Sequence, residues 1–272
     1  SKNCFYGCRY TIARFAMAIK EASTSVSADR PSYPSYVNRG RTKRMNWKST
    51  ICHFRKFISS VNPTAEQEQK IRGTPFSWIL DLPDSSFVRA QVQNMFDNWD
   101  HEEKNFIFHG KKLNFTKVDV GLILGLPDNG DIVRLDLNEA SSALYMEFFR
   151  ESDCSAKHLE KLIRKYRSND KLYCQLFILY FFTTVLFCGS SSVLRIPVLS
   201  LIDCVDDFDN LARFNWCNAV YSFMAQQLDS IGLELTLRPK PQVADATPKA
   251  PLLKGFPNIL AVSPITYIAR YV

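Results

Sequence analysis

The sequence is short of the features that announce chemistry. Ten glycines in 272 residues leave no convincing phosphate-cradling loop. The eight cysteines (4, 8, 52, 154, 174, 188, 204 and 217) form no C-x-x-C pair and several fall inside apolar runs. That pattern, with so large a core and no secretory signal, predicts buried free thiols in a reducing compartment rather than a disulfide framework. The first twenty residues carry Lys2, Arg9, Arg14 and Lys20 where a secretory signal would be uninterruptedly apolar. The chain starts without Met and reads as a fragment or a trimmed chain. No apolar run reaches the ~20 residues needed to cross a bilayer, so no membrane association is expected.

What is present is a large core. Apolar residues make up 46% of the chain and aromatics 13%, a globular composition. The longest apolar stretch is Leu172–Cys188, LYCQLFILYFFTTVLFC, interrupted only by Gln175, Thr183 and Thr184. As a helix it would be apolar on every side, so other elements must cover it all round. Phe177 and Phe181 are its expected central core residues. The fold class that follows is mainly α: a helical domain around a buried central helix (172–188), with a small β-hairpin at about 106–115.

Charge divides the chain more sharply than its net +7 suggests. Residues 1–60 hold twelve Lys/Arg against two acids, a balance of +10, whereas 61–272 hold twenty-two against twenty-five, a balance of −3. We expect three parts: a basic N-terminal arm with a Ser/Pro-rich linker (1–60), a helical core (61–232) and a Pro-rich C-terminal segment (233–272). Within the arm, Arg39, Arg41, Lys43, Arg44 and Lys48 lie within ten residues, beside Trp47. Such a run gains affinity for nucleic acid by releasing phosphate counterions, and it also suits an import receptor. A solvated basic loop is an equally good account of a motif this short.

The patterning predicts the remaining elements. A weak helical stripe falls over 8–20, and Asn46 is placed to cap a helix over 47–60. Pro63 and Thr64 open a short charged helix, and a better one follows over 85–99 with Trp99 on its core face. The hairpin pairs 106–108 with 113–115 across His109, which is expected to be exposed. Thr116 with Asp119 forms a capping box, and Gly125 and Pro127 stop the helix it opens. DNGDIVRL reads as a turn and short strand, and 138–150 and 156–166 as amphipathic helices. Pro197 starts a short helix. Asn215 caps a helix over 216–231, with Trp216 and Phe223 on a stripe facing the central helix and Gly232 at its end. Residues 238–257 read as an extended linker.

Three constellations invite a chemical reading. Asp203, Asp206, Asp207 and Asp209 could hold a divalent metal for nuclease or transposase chemistry, although no glycine stands where a calcium loop requires one. Cys154 and His158, at i and i+4, could pair as nucleophile and base on one helix face. Ser155 and Ala156 mark the helix start, however, which would leave Cys154 outside. Cys52 and His53 are neighbours and point about 100° apart on a helix, so they cannot readily act on one atom. In each case a structural role outweighs the chemical one, and no catalytic residue, metal or cofactor is assigned.

Three segments in order, the hairpin running into FTKVDVGLILGLPDNGDIV, the long apolar helix, and DDFDNLARFNWCNAVYSFMAQQL, resemble the plant mobile domain family, also called aminotransferase-like. The upstream IRGTPFSWILDLPDSSFVRAQVQNMFDNWD is similar to that family's helical region, so the resemblance covers about residues 70–232. It implies a non-enzymatic interaction module of a plant nuclear or transposon-derived protein acting in transposon silencing or genome stability. Its partners would be proteins, with nucleic acid met through the basic arm, and its location nuclear or otherwise cytoplasmic. No small-molecule substrate is expected. Some relatives carry a cysteine protease for ubiquitin-like modifiers, whose nucleophile lies in Gln-x-x-Asp-Cys-Gly. Glu151-Ser152-Asp153-Cys154-Ser155 lacks both the Gln and the Gly. No lysine is singled out for a cofactor.

Overall fold

A computed structural model describes residues 46–47, 51–82, 98–100, 102–108, 111–135, 141–152, 154–188, 198–237 and 252–253. The helical stripe at 8–20, nearly all of the basic run, most of the predicted helix 85–99, His109 and Pro197 lie outside these residues. The described chain is mainly helical with a small antiparallel sheet.

The central helix is the organising element. It starts at Asp170, where the Asn169 side chain accepts from the Leu172 N–H, and runs as an α-helix, α6, through Phe181. Residues Phe182–Leu186 then widen into a π turn, and the Phe187 N–H reaches back five residues to the Phe182 carbonyl at 2.8 Å. The two threonines explain the change of register. Thr183 and Thr184 donate to the carbonyls of Leu179 and Tyr180, each at 2.6 Å, and so occupy acceptors of the α ladder with hydroxyls. Every residue from Tyr173 to Cys188 is buried.

Other elements cover this helix with aromatic rings. Helix α1 (Ile51–Val61) brings Phe54 to 5.8 Å from Phe177 and 5.4 Å from Phe181. A 3-10 turn over Ser77–Asp81 sets Trp78 edge-on to Phe181 at 5.3 Å. Helix α8 (Trp216–Leu237) brings Trp216 to 5.1 Å from Phe182 and Phe223 to 5.5 Å from Phe187. Helix α2 (Ala65–Arg72) opens with a Thr64/Gln67 capping box. The buried Gln67 also donates to the Arg167 carbonyl and to Asp170, tying α2 to the start of α6. Burial of large apolar side chains at roughly 1.5–3 kcal/mol each supplies the stabilisation.

Several boundaries differ from the sequence reading. The helix predicted over 47–60 begins at Ile51. Asn46 does not cap it, because Asn46–Trp47 form a strand, β1, paired in parallel with β5 (Leu252–Leu253). The C-terminal segment is therefore not purely an extended linker. Trp99 lies on a strand, β2 (Trp99–Asp100), where it pairs with Phe106 of β3 (Asn105–Phe108). β3 in turn pairs with β4 (Lys111–Asn114), making a three-stranded sheet. Edge-to-face stacking of Trp99 on Phe106 at 4.8 Å accounts for its burial there.

Helix α3 (Lys117–Leu124) opens as predicted: the Thr116 N–H and hydroxyl both donate to Asp119 Oδ2 at 2.8 Å. It ends at Gly125, whose φ of 66° is a left-handed conformation that glycine adopts without strain. DNGDIVRL forms only an isolated bridge, Asp131 with Phe214, because its hydrogen bonds go to the entry of α8. Helix α8 runs through Gly232 to Leu237. An interior glycine costs about 1 kcal/mol relative to alanine, too little to end a helix that good formers continue.

Candidate functional site

The four clustered acids are placed by α7 (Val198–Asp206) and the 3-10 turn Phe208–Arg213 that follows it. They do not converge. Asp203 Oδ1 accepts the Ser142 N–H at 3.1 Å, its Oδ2 the Ser141 N–H at 3.3 Å, and Asp206 Oδ2 the Ala143 N–H at 3.1 Å. All three donors stand at the start of α4 (Ala143–Phe148), where backbone N–H groups lack helical partners. Two carboxylates from a different helix thus close an N-terminus, favoured further by the positive end of the helix dipole. Asp207 turns instead to Arg213 at 2.7 Å, and Asp209 to Lys171 at 3.7 Å. Among the described residues, no three His, Cys, Asp or Glu side chains group as metal ligands.

The underside of α7 is tied as firmly. Gln175, buried on α6, donates to the carbonyls of Val205 and Asp206 at 3.2 and 3.0 Å, satisfying acceptors at the end of α7. The acidic segment is therefore a joint between α4, α6 and α7.

Cys154 is buried and precedes α5 (Ala156–Lys165), whose N-cap is Ser155, accepting from the His158 N–H at 3.2 Å. The pair thus does not share a helix face. The His158 ring instead stacks edge-on to Phe149 at 6.0 Å. Burial pushes the thiols of Cys174, Cys204 and Cys217 up to about 12, far from the thiolate a nucleophile needs.

His53 is exposed, and its Nε2 lies 3.1 Å from Glu160 Oε1 on α5. The same oxygen accepts the Tyr180 hydroxyl at 2.9 Å. Burial first, and then this bond, raises the Tyr180 phenol above its ordinary range. Sequence reading missed this link because its members are 107 and 20 residues apart. No periodicity signals such a contact.

A second feature that sequence reading missed is an open groove of about 600 Å³ along α8, lined by Tyr221, Ser222, Gln226, Asp229 and, from the β2–β3 turn, Lys104. Lys104 has a left-handed φ of 56° and its ammonium meets Asp229, which also accepts from Trp99 Nε1 at 3.3 Å. The two charges in the groove answer each other, so it presents no net charge of its own.

Of the basic run, only Trp47 is described, in the backbone of β1. Arg39, Arg41, Lys43, Arg44 and Lys48 lie outside the described residues. The remaining singled-out positions are structural: Phe177, Phe181 and Trp216 are fully buried, Phe223 nearly so, and Pro127 accepts the Cys217 N–H at 3.1 Å.

The two segments that flank the central helix in sequence meet in space. Leu126–Asp131 docks on Arg213–Cys217. Asp131 N–H donates to Arg213, Asn215 N–H to Asp131, and the Cys217 thiol to Leu126. Gly130 is required here, since its φ is 106° and a Cβ would fall 1.9 Å from the Arg213 carbonyl oxygen. A family model covers all of this, from residue 47 to residue 233, under the description Domain of unknown function (DUF8566). The chain belongs to the DUF8566 family. No curated protein and no solved structure matches it significantly. The DUF8566 region begins within β1 and takes in every described helix but the last turn of α8. Among the described residues, no helix is long and apolar enough to cross a membrane.

Proposed function

We propose that this DUF8566 protein is a non-enzymatic interaction module whose helical body meets protein partners and whose basic arm meets a polyanion. The observation that carries the reading is the division of charge, +10 over residues 1–60 and −3 over the rest. Two of the acids that a rival enzyme reading would need as metal ligands, Asp203 and Asp206, close α4 instead, and Cys154 stands outside the helix that carries His158. The resemblance of residues 70–232 to plant mobile domain proteins supports a nuclear, transposon-derived setting and a role in silencing or genome stability.

The deciding experiment is equilibrium binding to a mixed-sequence DNA duplex and to single-stranded RNA at low salt. The intact chain should bind, and changing Arg39, Arg41, Lys43 and Arg44 together to Ala should remove most of the affinity. Intact protein that binds neither leaves import as the role of the run. A reporter carrying residues 37–50 would then have to enter nuclei.

A further inference from the structure

Helices α1 and α5 are tied together at three points. His53 meets Glu160 at 3.1 Å, Arg164 donates to the Ser60 hydroxyl at 2.9 Å, and Arg167 donates to the Asn62 carbonyl at 3.2 Å. The Arg164 guanidinium also lies over the Phe57 ring at 5.2 Å. The outer surface so fixed is basic. Residues 155–167 hold five Lys/Arg against one acid, inside a body whose overall balance is −3, and α1 adds Arg55 and Lys56 with no acid. On α5, Lys157, Lys161, Arg164 and Lys165 fall at i, i+4, i+7 and i+8, one side of a helix, and all four are exposed. Leu159, Leu162 and Ile163, on the opposite side, are buried. Lys56 is exposed on the side of α1 that carries His53 and Ser60, and Arg167 is exposed just past the end of α5. Among the described residues, no carboxylate forms an ion pair with these six cations. The single acid, Glu160, is engaged by His53 and Tyr180.

We propose that this α1–α5 face docks a nucleic-acid backbone, as a second site in the body that does not depend on the basic arm. A ten-residue helix is about 15 Å long, the axial span of about four phosphates on one strand at roughly 3.4 Å each, and the α5 stripe presents four cations. A protein partner would need apolar or aromatic anchors, because interface cores are depleted in Lys and enriched in aromatic residues. The face offers only the half-buried Tyr166, with the Lys165 ammonium 5.0 Å above its ring. A membrane surface would need an apolar edge to insert. The large exposed hydrophobics among the described residues, Val118, Leu122, Ile132 and Met146, lie on neither helix. Backbone phosphates need only charge and hydrogen-bond donors, and such contacts carry no sequence information.

The test measures affinity for a mixed-sequence DNA duplex across a salt series. Four full-length proteins are compared: the intact chain, a Lys157→Gln/Lys161→Gln/Lys165→Gln variant, the same three positions changed to Arg, and the variant with Arg39, Arg41, Lys43 and Arg44 changed to Ala. The Gln variant should bind several-fold more weakly, with a slope of log K against log salt shallower by roughly 0.9 per lost contact. The Arg variant should bind like the intact chain. The arm variant should keep a residual, salt-dependent affinity that adding the three Gln changes removes. Equal affinity and slope in the Gln variant overturn the proposal, and so does an intact chain that does not bind DNA at low salt. If the arm variant binds as tightly as the intact chain while the Gln variant does not, the arm reading fails and the face stands. Tighter binding to phosphatidylserine vesicles or to poly-glutamate than to DNA, lost in the Gln variant, would overturn the nucleic-acid assignment. Should the Gln variant lose its cooperative melting transition, acetylation of the intact chain decides. Bound DNA must slow modification of Lys157, Lys161 and Lys165, and unchanged rates overturn the proposal.

Discussion

Asp203 of α7 accepts the backbone N–H of Ser142 at 3.1 Å and so caps a helix that begins sixty residues earlier in the chain. A helix of six residues is too short to be stable alone, and α4 adds this borrowed carboxylate and that of Asp206 to its own N-cap, Ser142, whose hydroxyl accepts the Tyr145 N–H at 3.2 Å. Replacing Asp203 by Ala should therefore lower stability in urea by about 0.5–2 kcal/mol, the usual range for a lost N-cap. An unchanged midpoint would mean that α4 holds without it.

The same geometry predicts how divalent cations behave. With Asp203 and Asp206 engaged by α4 and Asp207 by Arg213, millimolar magnesium, manganese or calcium should leave the melting temperature where it is. A clear rise that disappears in Asp206→Ala would restore the metal reading.

Phe181 touches Phe54, Phe76, Trp78 and Phe182 and is fully buried. Phe181→Ala should cost about 3–5 kcal/mol, and Phe181→Asp should prevent cooperative folding, because a carboxylate there has neither water nor a partner. Retention of an unchanged thermal midpoint by Phe181→Asp would show that this helix is not the core.

Stability should depend on alkaline pH. The thiols of Cys174, Cys204 and Cys217 have an ordinary value of 9.0 and are pushed up to about 12 in the fold, chiefly by burial. Above pH 9 the unfolded chain releases these protons while the folded chain keeps them. Stability is thus full below pH 9 and falls as pH rises from 9 toward 12. Burial raises the Tyr173 and Tyr180 phenols in the same direction. Urea midpoints measured from pH 7 to 11 should be level and then decline, and a flat profile to pH 11 would contradict the burial of these groups.

The parts of the fold that were legible in the sequence are those whose signal is local. Seventeen nearly unbroken apolar residues identify the central helix, Thr116 and Asp119 lie three positions apart, and Gly125 follows the helix it ends. What escaped depends on distant partners. Nothing near Asn46–Trp47 announces a strand, because its partner lies more than two hundred residues away. Trp99 has a helical stripe behind it, and only Phe106 across the sheet makes it a strand residue. The π turn hangs on two threonine hydroxyls whose acceptors no pattern displays. The acid cluster was legible as a cluster, while its use as a cap for α4 was not.

The central claim, that the arm works by charge, is tested most directly by the salt dependence of nucleic-acid binding. Arg39, Arg41, Lys43, Arg44 and Lys48 would neutralise about four or five phosphates, giving a slope of log K against log salt of about −3 to −4.5, at roughly −0.7 to −0.9 per contact. Affinities should also be nearly the same for unrelated sequences. A slope near zero, or a strong preference for one sequence that survives high salt, would contradict the account.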